Sequence, residues 1–357
     1  MTVMLDQSRV EQFMGQVITD AAAAISGLTV ALGDRLGLYE AMAGAGPLTS
    51  TELAGRTALV ERYVREWLAC QVAGGYVEHD PADQTYTLPD EHAAVLADPL
   101  APTYLAGAFL LLHAAYATEE ALLEAFRTGA GVGWDAHPES LFTGTAKFFR
   151  PGYLANILGD HGWLAALDGV EDKLIAGASV ADLGCGFGYS TLLMAEAFPA
   201  SRFVGFDYHR PSIEAARALA TDAGVGDRVR FEVASAHDFP GTGYDLLTCY
   251  DCLHDMGDPG GAAAHARAAV AEDGTWMIVE PNASENLADT VGNPIARLFT
   301  AASVAICLPA AMAQGGPVAL GNHAGEDAVR DLVTEAGWSR WRRATETPVN
   351  RVYEARP

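Results

Sequence analysis

The stretch Val180–Ser190, with the sequence VADLGCGFGYS, restricts the possible fold more than any other part of the chain. A short apolar run ends in Asp182, and glycines then alternate with other residues as far as Gly188. An amphipathic segment, Thr191–Phe198, follows with its apolar residues at helical spacing. Glycines suit a turn that needs unusual backbone angles and a close approach by a ligand. The pattern therefore predicts a strand, a tight turn and a helix whose first N–H groups favour an anionic group.

A second carboxylate indicates which kind of ligand this turn binds. The next predicted strand, Arg202–Asp207, ends in an acid nineteen residues after Gly188. An acid there can accept hydrogen bonds from both ribose hydroxyls, which fits NAD or S-adenosylmethionine (SAM). NAD turns usually read G-x-G-x-x-G, whereas this turn reads D-x-G-x-G-x-G. Because the carboxylate of Asp182 suits a cationic amino-acid tail better than a diphosphate, the spacing favours SAM over an NAD-dependent oxidoreductase.

Composition limits the class of protein. A chain of 357 residues is long enough for two domains with sizeable cores. We expect a soluble protein without a membrane partner, because no run of 18 or more apolar residues occurs and the start carries no signal-peptide pattern. Five cysteines without framework spacing indicate reduced thiols and a cytoplasmic location. The formal net charge of −24 opposes binding to nucleic acid and anionic membranes.

The first 98 residues predict a mostly helical winged-helix domain. The segment Val10–Met42 is amphipathic and predicts one long helix or two, with breaks near Gly27 and Gly33. A second amphipathic helix is predicted over Leu59–Ala73. Two strands around an Asp-Pro-Ala-Asp turn are predicted over Tyr76–Leu88. Helices followed by a β-hairpin are typical of winged helices.

Winged helices bind DNA in many proteins, so two roles for this domain have to be compared. Residues 1–90 contain five arginines, no lysine and twelve acidic residues, whereas a phosphate-binding surface needs a basic stripe. The apolar run Thr29–Tyr39 is suited to packing against a partner subunit. We therefore expect a homodimer formed through this domain, or a substrate lid, and no nucleic-acid partner. A transcriptional regulator that binds SAM or another metabolite remains the alternative function.

Residues 99–170 predict a helical connector and lid. Aromatic residues are concentrated there, and two interpretations of them remain open. They fill the core between domains, or Phe149 and Tyr153 reach the cofactor or line a pocket for the acceptor that this connector closes.

Residues 171–357 predict an α/β domain with a doubly wound sheet. Strands alternate with helices over residues 202–207, 229–233, 244–250 and 275–280. Two last runs, 338–344 and 349–354, predict an antiparallel hairpin, so the whole is a Rossmann-like seven-stranded sheet. Ligands of such sheets bind at the carboxyl ends of the strands. Six polar residues lie at or just beyond those ends: Asp182, Asp207, Ser235, Tyr250, His254 and Glu280.

These residues give the chain a family resemblance. Residues 175–357 resemble the class I SAM-dependent methyltransferases, and the whole chain resembles their bacterial subgroup with an N-terminal winged-helix dimerisation domain. The segment Asp251–Pro259, DCLHDMGDP, is similar to the Leu-His-Asp segment of small-molecule O-methyltransferases. The glycine turn, Val279–Pro281 and the closing run Glu346–Pro357 are similar to that group as well.

The resemblance implies a set of residues that bind SAM. Residues that contact its methionine part, ribose or adenine are Asp182, Gly184, Gly186, Gly188, Asp207, Tyr208, Ser235 and Ala236. Tyr250 and Asp251, together with Tyr153 and Phe149, complete the predicted cofactor site.

The resemblance also implies catalytic roles. His254 occupies the place of the general base in the O-methyltransferases, and Glu280 that of a carboxylate which orients it; alternatively, His254 is a helix-start residue bonded to backbone. Asp255 either binds the acceptor or caps the following helix. The O-methyltransferases have a second carboxylate that orients the base, and in this chain its place holds Asn322 or His323. This is a difference from the plant enzymes that methylate phenols. We therefore regard both residues as candidates for contact with the substrate.

The resulting prediction is methyl transfer from SAM to a small-molecule acceptor, at a hydroxyl whose proton His254 takes. No metal is predicted. Cys249 and Cys252 have a spacing found in zinc and redox sites, but neither a second pair nor a suitable run of histidines accompanies them. We expect these two cysteines to serve in packing.

Overall fold

A computed structural model describes residues 5–284 and 286–357, and the chain divides into two compact units. The first unit comprises Met1–His113 and Thr143–Pro151, and the second comprises Ala114–Phe142 and Gly152–Pro357. The domain boundaries near residues 98 and 170 remain predictions.

The helices and strands of the described residues are as follows. The α-helices are α1 (Gln7–Arg35), α2 (Leu38–Met42), α3 (Ser50–Thr57), α4 (Glu61–Ala73), α5 (Asp90–Leu96), α6 (Ala108–Ala117), α7 (Glu119–Thr128), α8 (Glu139–Asn156), α9 (Val170–Ala176), α10 (Tyr189–Ala197), α11 (Arg210–Asp222), α12 (Pro259–Ala269), α13 (Pro294–Ala302), α14 (Leu308–Ala313) and α15 (Gly325–Glu335). The strands are β1 (Glu78–Asp80), β2 (Thr85–Thr87), β3 (Ser179–Leu183), β4 (Arg202–Asp207), β5 (Val229–Val233), β6 (Tyr244–Tyr250), β7 (Val270–Pro281), β8 (Arg340–Glu346) and β9 (Asn350–Arg356).

The first unit contains the predicted winged helix. Helices α3 and α4 precede the antiparallel hairpin β1–β2. Helix α3 begins with a capping box, in which the N–H of Glu52 donates to Thr49 Oγ1 and the N–H of Thr49 donates to Glu52 Oε2. The fully buried side chains Leu53 and Leu68 pack these helices together. The prediction of a helical winged-helix domain is confirmed.

Of the two predictions for Val10–Met42, one long helix agrees with the structure as far as Arg35, and the break near the two glycines is wrong. Helix α1 continues through Gly27 and Gly33, and the chain turns only at Gly37, which has a φ of 67°. A Cβ on Gly27 would lie 3.0 Å from the ring of Phe109, and one on Gly33 would lie 2.6 Å from the ring of Tyr39. These glycines therefore admit aromatic rings close to the helix, and they do not end it.

The second unit is built on a seven-stranded sheet of the described residues, in the order β5-β4-β3-β6-β7-β9-β8. Strands β3 to β7 are parallel, and β9 is antiparallel to both β7 and β8. This confirms the Rossmann-like sheet and its closing hairpin. The order reverses between the neighbours β3 and β6, and ligands of such sheets bind beyond the carboxyl ends at that point.

Both faces of this sheet are buried. Val180 and Leu246 belong to one hydrophobic cluster, whereas their chain neighbours Ala181 and Leu247 belong to another. Because side chains alternate along a strand, the two clusters cover opposite faces of the sheet. Polar side chains are therefore displaced to the strand ends.

Two helical stretches of the described residues, Gln7–Arg35 and Pro294–Ala313, are long and apolar enough to cross a membrane by length and composition alone. Core helices of soluble proteins meet the same criterion, so the finding does not by itself indicate a membrane protein.

We predict that Gly188→Ala destabilises the second unit much more than Gly186→Ala. Both glycines have a positive φ, which costs an alanine about 1–2 kcal/mol. A Cβ on Gly188 would also overlap the ring of Phe231, whereas one on Gly186 would meet no atom within 4 Å. Overlap in a packed core costs about a further 1–3 kcal/mol. Urea unfolding measures the difference, and equal free energies of unfolding for the two variants would contradict it.

Candidate active site

Asp182 is the penultimate residue of β3, directly before the glycine turn, and it is buried. The hydroxyls of Ser190 and Thr191 donate to its Oδ2 at 2.7 and 2.6 Å, and that of Thr248 donates to Oδ1 at 2.9 Å. Burial raises the pKa of Asp182 to about 6, although these hydroxyls oppose the shift. Because Ser190 and Thr191 lie in the first turn of α10, the three bonds fix the start of that helix against β3 and β6. A direct contact of Asp182 with SAM remains a prediction.

Asp207 lies across the glycine turn from Asp182, at the end of β4. The N–H of Gly186 donates to its Oδ2 at 2.9 Å, and the N–H of His209 donates to its Oδ1 at 2.8 Å. A Cβ on Gly184 would lie 2.7 Å from a cysteine sulfur, so that glycine packs against protein, whereas Gly186 faces open space. The open side of the turn is therefore beside Asp207.

Two tyrosines lie near the buried acids. The ring centroids of Tyr153 and Tyr250 are 5.2 Å apart. The hydroxyl of Tyr250 donates to Met194 Sδ at 3.6 Å, so its polar end points into the core. Burial raises the pKa of Tyr153 well above its usual value, and the charges of Asp251 and Asp182 raise it further. Tyr153 therefore lies close to both acids.

Asp251 follows β6 in a left-handed conformation, with a φ of 49°. For a residue other than glycine this costs about 1–3 kcal/mol and is common at functional sites. Asn350 Nδ2 donates to both carboxylate oxygens, at 2.8 and 3.0 Å. Burial raises the pKa of Asp251 to about 8, and the neighbouring Glu280 adds to the shift. A buried carboxyl with one amide partner suits a cationic ligand, because a positive charge offsets the cost of its desolvation.

His254 is held by Glu280 in the 3₁₀ turn Leu253–Asp255. His254 Nδ1 lies 2.5 Å from Glu280 Oε2, and the N–H of Leu253 donates to Oε1 of the same carboxylate at 3.1 Å. The other ring nitrogen, Nε2, lies 3.2 Å from Asp255 Oδ1. Because Glu280 holds Nδ1, Nε2 is the ring nitrogen that is left for other partners.

The two carboxylates control the charge of this histidine. Burial alone would lower the pKa of His254, but Glu280 and Asp255 outweigh it, and the pKa lies well above its usual value. Burial raises the pKa of Asp255. His254 therefore holds its proton strongly near neutral pH, and its capacity as a base increases as the pH rises through the raised pKa.

The residues predicted on the adenine side follow β4 and β5. Tyr208 is 44% exposed and directly follows Asp207. Ser235 donates from both its N–H and its hydroxyl to Asp238 Oδ1, at 3.0 Å each, which forms a tight turn around Ala236. This turn and Tyr208 are close in sequence to the ends of neighbouring strands, and their adenine contacts remain predictions.

Of the two predicted acceptor residues, the structure brings Asn322 beside the catalytic candidates. Asn322 and Glu280 line the same small cavity, together with Tyr353. Asn322 Oδ1 and His323 Nδ1 are buried without a hydrogen-bond partner among the described residues. Phe149 lies in the first unit, where its ring packs edge-on against that of Phe148. A role for Phe149 at the cofactor remains a prediction.

The contacts of several residues with the site could not be predicted from the sequence. Ser190 and Thr191 are an ordinary pair at a helix start, and Thr248 lies inside an apolar strand. Asn350 reaches Asp251 only because the closing hairpin pairs β9 with β7. Cys307, within an apolar stretch, lies beside His254 and Asp255.

The residues at the strand ends fit an adenosyl sulfonium group. Gly186 leaves room for a ligand at the turn, and Asp207 lies beside that room. The carboxyls of Asp182 and Asp251 are buried and both raise the pKa of Tyr153, so their charges act on the same part of the site, which suits a positively charged ligand.

Comparison with known proteins agrees with this geometry. Residues 23–98 match the family described as an Rv2258c-like winged HTH domain, and residues 175–335 match the family described as a methyltransferase domain. A methyltransferase from Aspergillus campestris, ungE', is 33% identical over 103 residues, which are 27% of this chain and 29% of the relative. The aligned part thus covers less than a third of that curated relative.

Solved structures are similar over the full length. Human N-acetylserotonin methyltransferase, solved in complex with SAM, is 17% identical with a TM-score of 0.69, over 100% of this chain and 99% of the other. An O-methyltransferase family protein from Burkholderia thailandensis is 15% identical with a TM-score of 0.67, over 99% of each chain. At these identities the similarity concerns the fold. The two matched families, a winged HTH domain and a methyltransferase domain, together with the order of the sheet, place the chain among methyltransferases with an N-terminal winged helix.

Proposed function

We propose that this methyltransferase acts on a hydroxyl of a small-molecule acceptor and that His254 is its general base. One observation carries the proposal: a buried histidine, held through Nδ1 by Glu280 at 2.5 Å, lies three residues after the strand-end acid Asp251. That arrangement leaves Nε2 to take a proton. The sequence similarity of the Leu-His-Asp segment to small-molecule O-methyltransferases supports the same role.

In the proposed methyl transfer, the cofactor and the protein have different tasks. SAM supplies a methyl group that is already activated on a sulfonium. The protein has to align the acceptor, exclude water and remove the hydroxyl proton. His254 Nε2 accepts that proton, and Glu280 orients the ring and stabilises the imidazolium that forms. The Oδ1 atom of Asp255, buried without a hydrogen-bond partner among the described residues, is available to a donor on the acceptor.

The remaining site residues are proposed in the roles given by the resemblance. Asn322 and His323 contact the acceptor, since both carry buried polar atoms that lack partners among the described residues. The residues proposed to bind SAM are Asp182, Gly184, Gly186, Gly188, Asp207, Tyr208, Ser235, Ala236, Tyr250, Asp251, Tyr153 and Phe149.

The alternative, a DNA-binding regulator, is not favoured. The matched domain is of the winged helix-turn-helix kind, but residues 1–90 contain twelve acidic residues against five arginines. Backbone phosphates attract basic surfaces and are repelled by this balance.

We also propose that the chain forms a homodimer through α1 and resides in the cytoplasm. One face of α1 packs inside the first unit, through residues such as Val30 and Gly33. The opposite face carries a stripe of exposed apolar residues at helical spacing: Met14, Ile18, Ile25, Leu28 and Leu32. An exposed apolar stripe of this length is typical of an interface. The cysteines, all free, suit a reducing compartment.

We expect His254→Ala to bind SAM about as tightly as the wild type but to turn over about tenfold more slowly or worse, because a general base contributes roughly 10²- to 10⁴-fold. Calorimetry with SAM measures binding, and mass spectrometry of a panel of phenols and alcohols measures methyl transfer. His161→Ala, at an exposed histidine of the same unit, is the control. Unchanged turnover in His254→Ala would remove the histidine from the mechanism. If SAM binds but no hydroxyl is methylated, the proposal of a hydroxyl acceptor fails.

We expect Glu280→Gln to shift the alkaline rise of the rate to lower pH. The charge of Glu280 holds the pKa of His254 above its usual value, and removing an adjacent charge lowers such a pKa by about 1–3 units. The neutral base then forms at lower pH. Rate profiles of the two proteins between pH 6 and about 10 give the comparison. Glu272→Gln, an exposed carboxylate earlier on β7, should leave the profile in place. A profile of Glu280→Gln that coincides with the wild type would contradict the role of this carboxylate.

We expect the double substitution Ile18→Glu with Ile25→Glu to convert a dimer into a monomer, because it places charges within the apolar stripe of α1. Light scattering after size exclusion measures the mass. Gln16→Glu adds a charge on another side of the same helix and should leave the dimer intact. A wild-type protein that is monomeric at micromolar concentration would refute the proposed interface.

A further inference from the structure

His254, Asp255 and Cys307 form a compact group with the composition of a metal site. One ligand atom from each of the three lies within 4.8 Å of the other two. They offer a nitrogen, an oxygen and a sulfur, and His254 and Cys307 are buried. Zn²⁺ binds these three kinds of atom and commonly keeps a fourth position for a small ligand.

The surroundings of the group also resemble those of a metal site. Metal-binding histidines usually donate their second ring N–H to a carboxylate, and His254 Nδ1 lies 2.5 Å from Glu280 Oε2. The other ring nitrogen of His254, Nε2, lies 3.2 Å from Asp255 Oδ1. That oxygen is buried, and the ligand atoms of His254 and Cys307 are its polar neighbours, so the three side chains converge on one point.

Cys307 reaches the group through an irregularity of the backbone. Residues Ser303–Cys307 form a π-helical turn between α13 and α14. Single π turns inside helices occur frequently at functional sites. Cys307 ends the turn and is 7% exposed, in the second unit with the two other residues. The turn therefore gives an otherwise apolar segment one buried thiol beside His254.

We propose that His254 Nε2, Asp255 Oδ1 and Cys307 Sγ bind one Zn²⁺ ion, with a fourth position open to a water molecule. The thiol proton, and the Nε2 proton where it is present, pass to solvent when the ion binds. The ion occupies the nitrogen that takes the acceptor's proton, so zinc inhibits methyl transfer. This inhibition rests on the proposed role of His254, whereas the binding site itself does not.

A titration without acceptor tests the site directly. The full chain, treated with a chelator and dialysed, is titrated with Zn²⁺ by calorimetry at pH 7.5, and one ion per chain is expected. Cys307→Ala and Asp255→Asn should each weaken this binding by about tenfold or more. Cys70→Ala, which removes a half-buried thiol of the first unit, should not change it. SAM binding by each variant checks that it is folded. Zinc affinity that is undiminished in Cys307→Ala, or no zinc binding by the wild type, would overturn the proposal.

Cobalt gives a second, spectroscopic readout. Co²⁺ bound to a thiolate has a strong charge-transfer band in the near ultraviolet, so the wild type and Cys70→Ala should show the band and Cys307→Ala should not. Its persistence in Cys307→Ala would place the metal elsewhere. Methyl transfer is then measured with and without one equivalent of Zn²⁺. Faster or unchanged turnover of the zinc-loaded protein would overturn the inhibition, while the titration decides the binding site independently.

Discussion

Negative charge buried at the strand ends is the constraint on which the rest of this structure depends. Asp182, Asp251 and Glu280 are buried where β-strands end, Asp207 is partly buried at the end of β4, and each needs a partner because an unpaired buried carboxylate is costly. The partners differ: three hydroxyls for Asp182, two backbone N–H groups for Asp207, one amide for Asp251 and His254 for Glu280. Hydroxyls and amides bring no positive charge. A cationic cofactor is therefore the natural complement to this rim, and its affinity and the stability of the sheet are linked.

Much of the fold could be predicted from the sequence, because local pattern and tertiary environment agree along the sheet. The strands 202–207, 229–233 and 244–250 have the bounds expected of them. The apolar runs of 202–207 and 244–250 are largely buried on both faces, whereas the edge strand 229–233 is buried on one face, so each pattern fits its place in the sheet. The break expected near Gly27 and Gly33 failed for a physical reason. Aromatic rings from elsewhere in the chain pack against those two glycines, where a larger side chain would collide with them. The sequence alone does not distinguish a glycine of this kind from one that ends a helix.

Some residues of the candidate site could likewise be predicted from the sequence, and others could not. The glycine turn, Asp207 and the His254 segment are contiguous motifs, and their residue types indicate their chemistry directly. The roles of Asn350 and Cys307 could not be predicted in this way, because tertiary structure brings these residues to the site. Asn350 reaches Asp251 through the pairing of β9 with β7, and Cys307 reaches His254 through a π-helical turn inside an apolar stretch. Asn350 lies in the closing run that resembles the methyltransferases, but that run does not indicate its contact with Asp251, and Cys307 belongs to no motif.

The environment of His254 would have two opposing effects on its proposed role as a base. The carboxylates of Glu280 and Asp255 raise the affinity of the ring for a proton, which makes the neutral ring a stronger base but also makes the neutral form scarcer. A second donor on the acceptor, other than the hydroxyl that loses its proton to Nε2, would reduce this cost by donating to Asp255 Oδ1, because it would occupy the lone pairs that now face Nε2. Binding of the acceptor would then lower the proton affinity of His254 as the acceptor arrives. Glu280, which contacts the other ring nitrogen, would still be in place to stabilise the imidazolium after transfer. In the proposed mechanism the contact of His254 with Asp255 would thus depend on the substrate, whereas its contact with Glu280 would persist throughout.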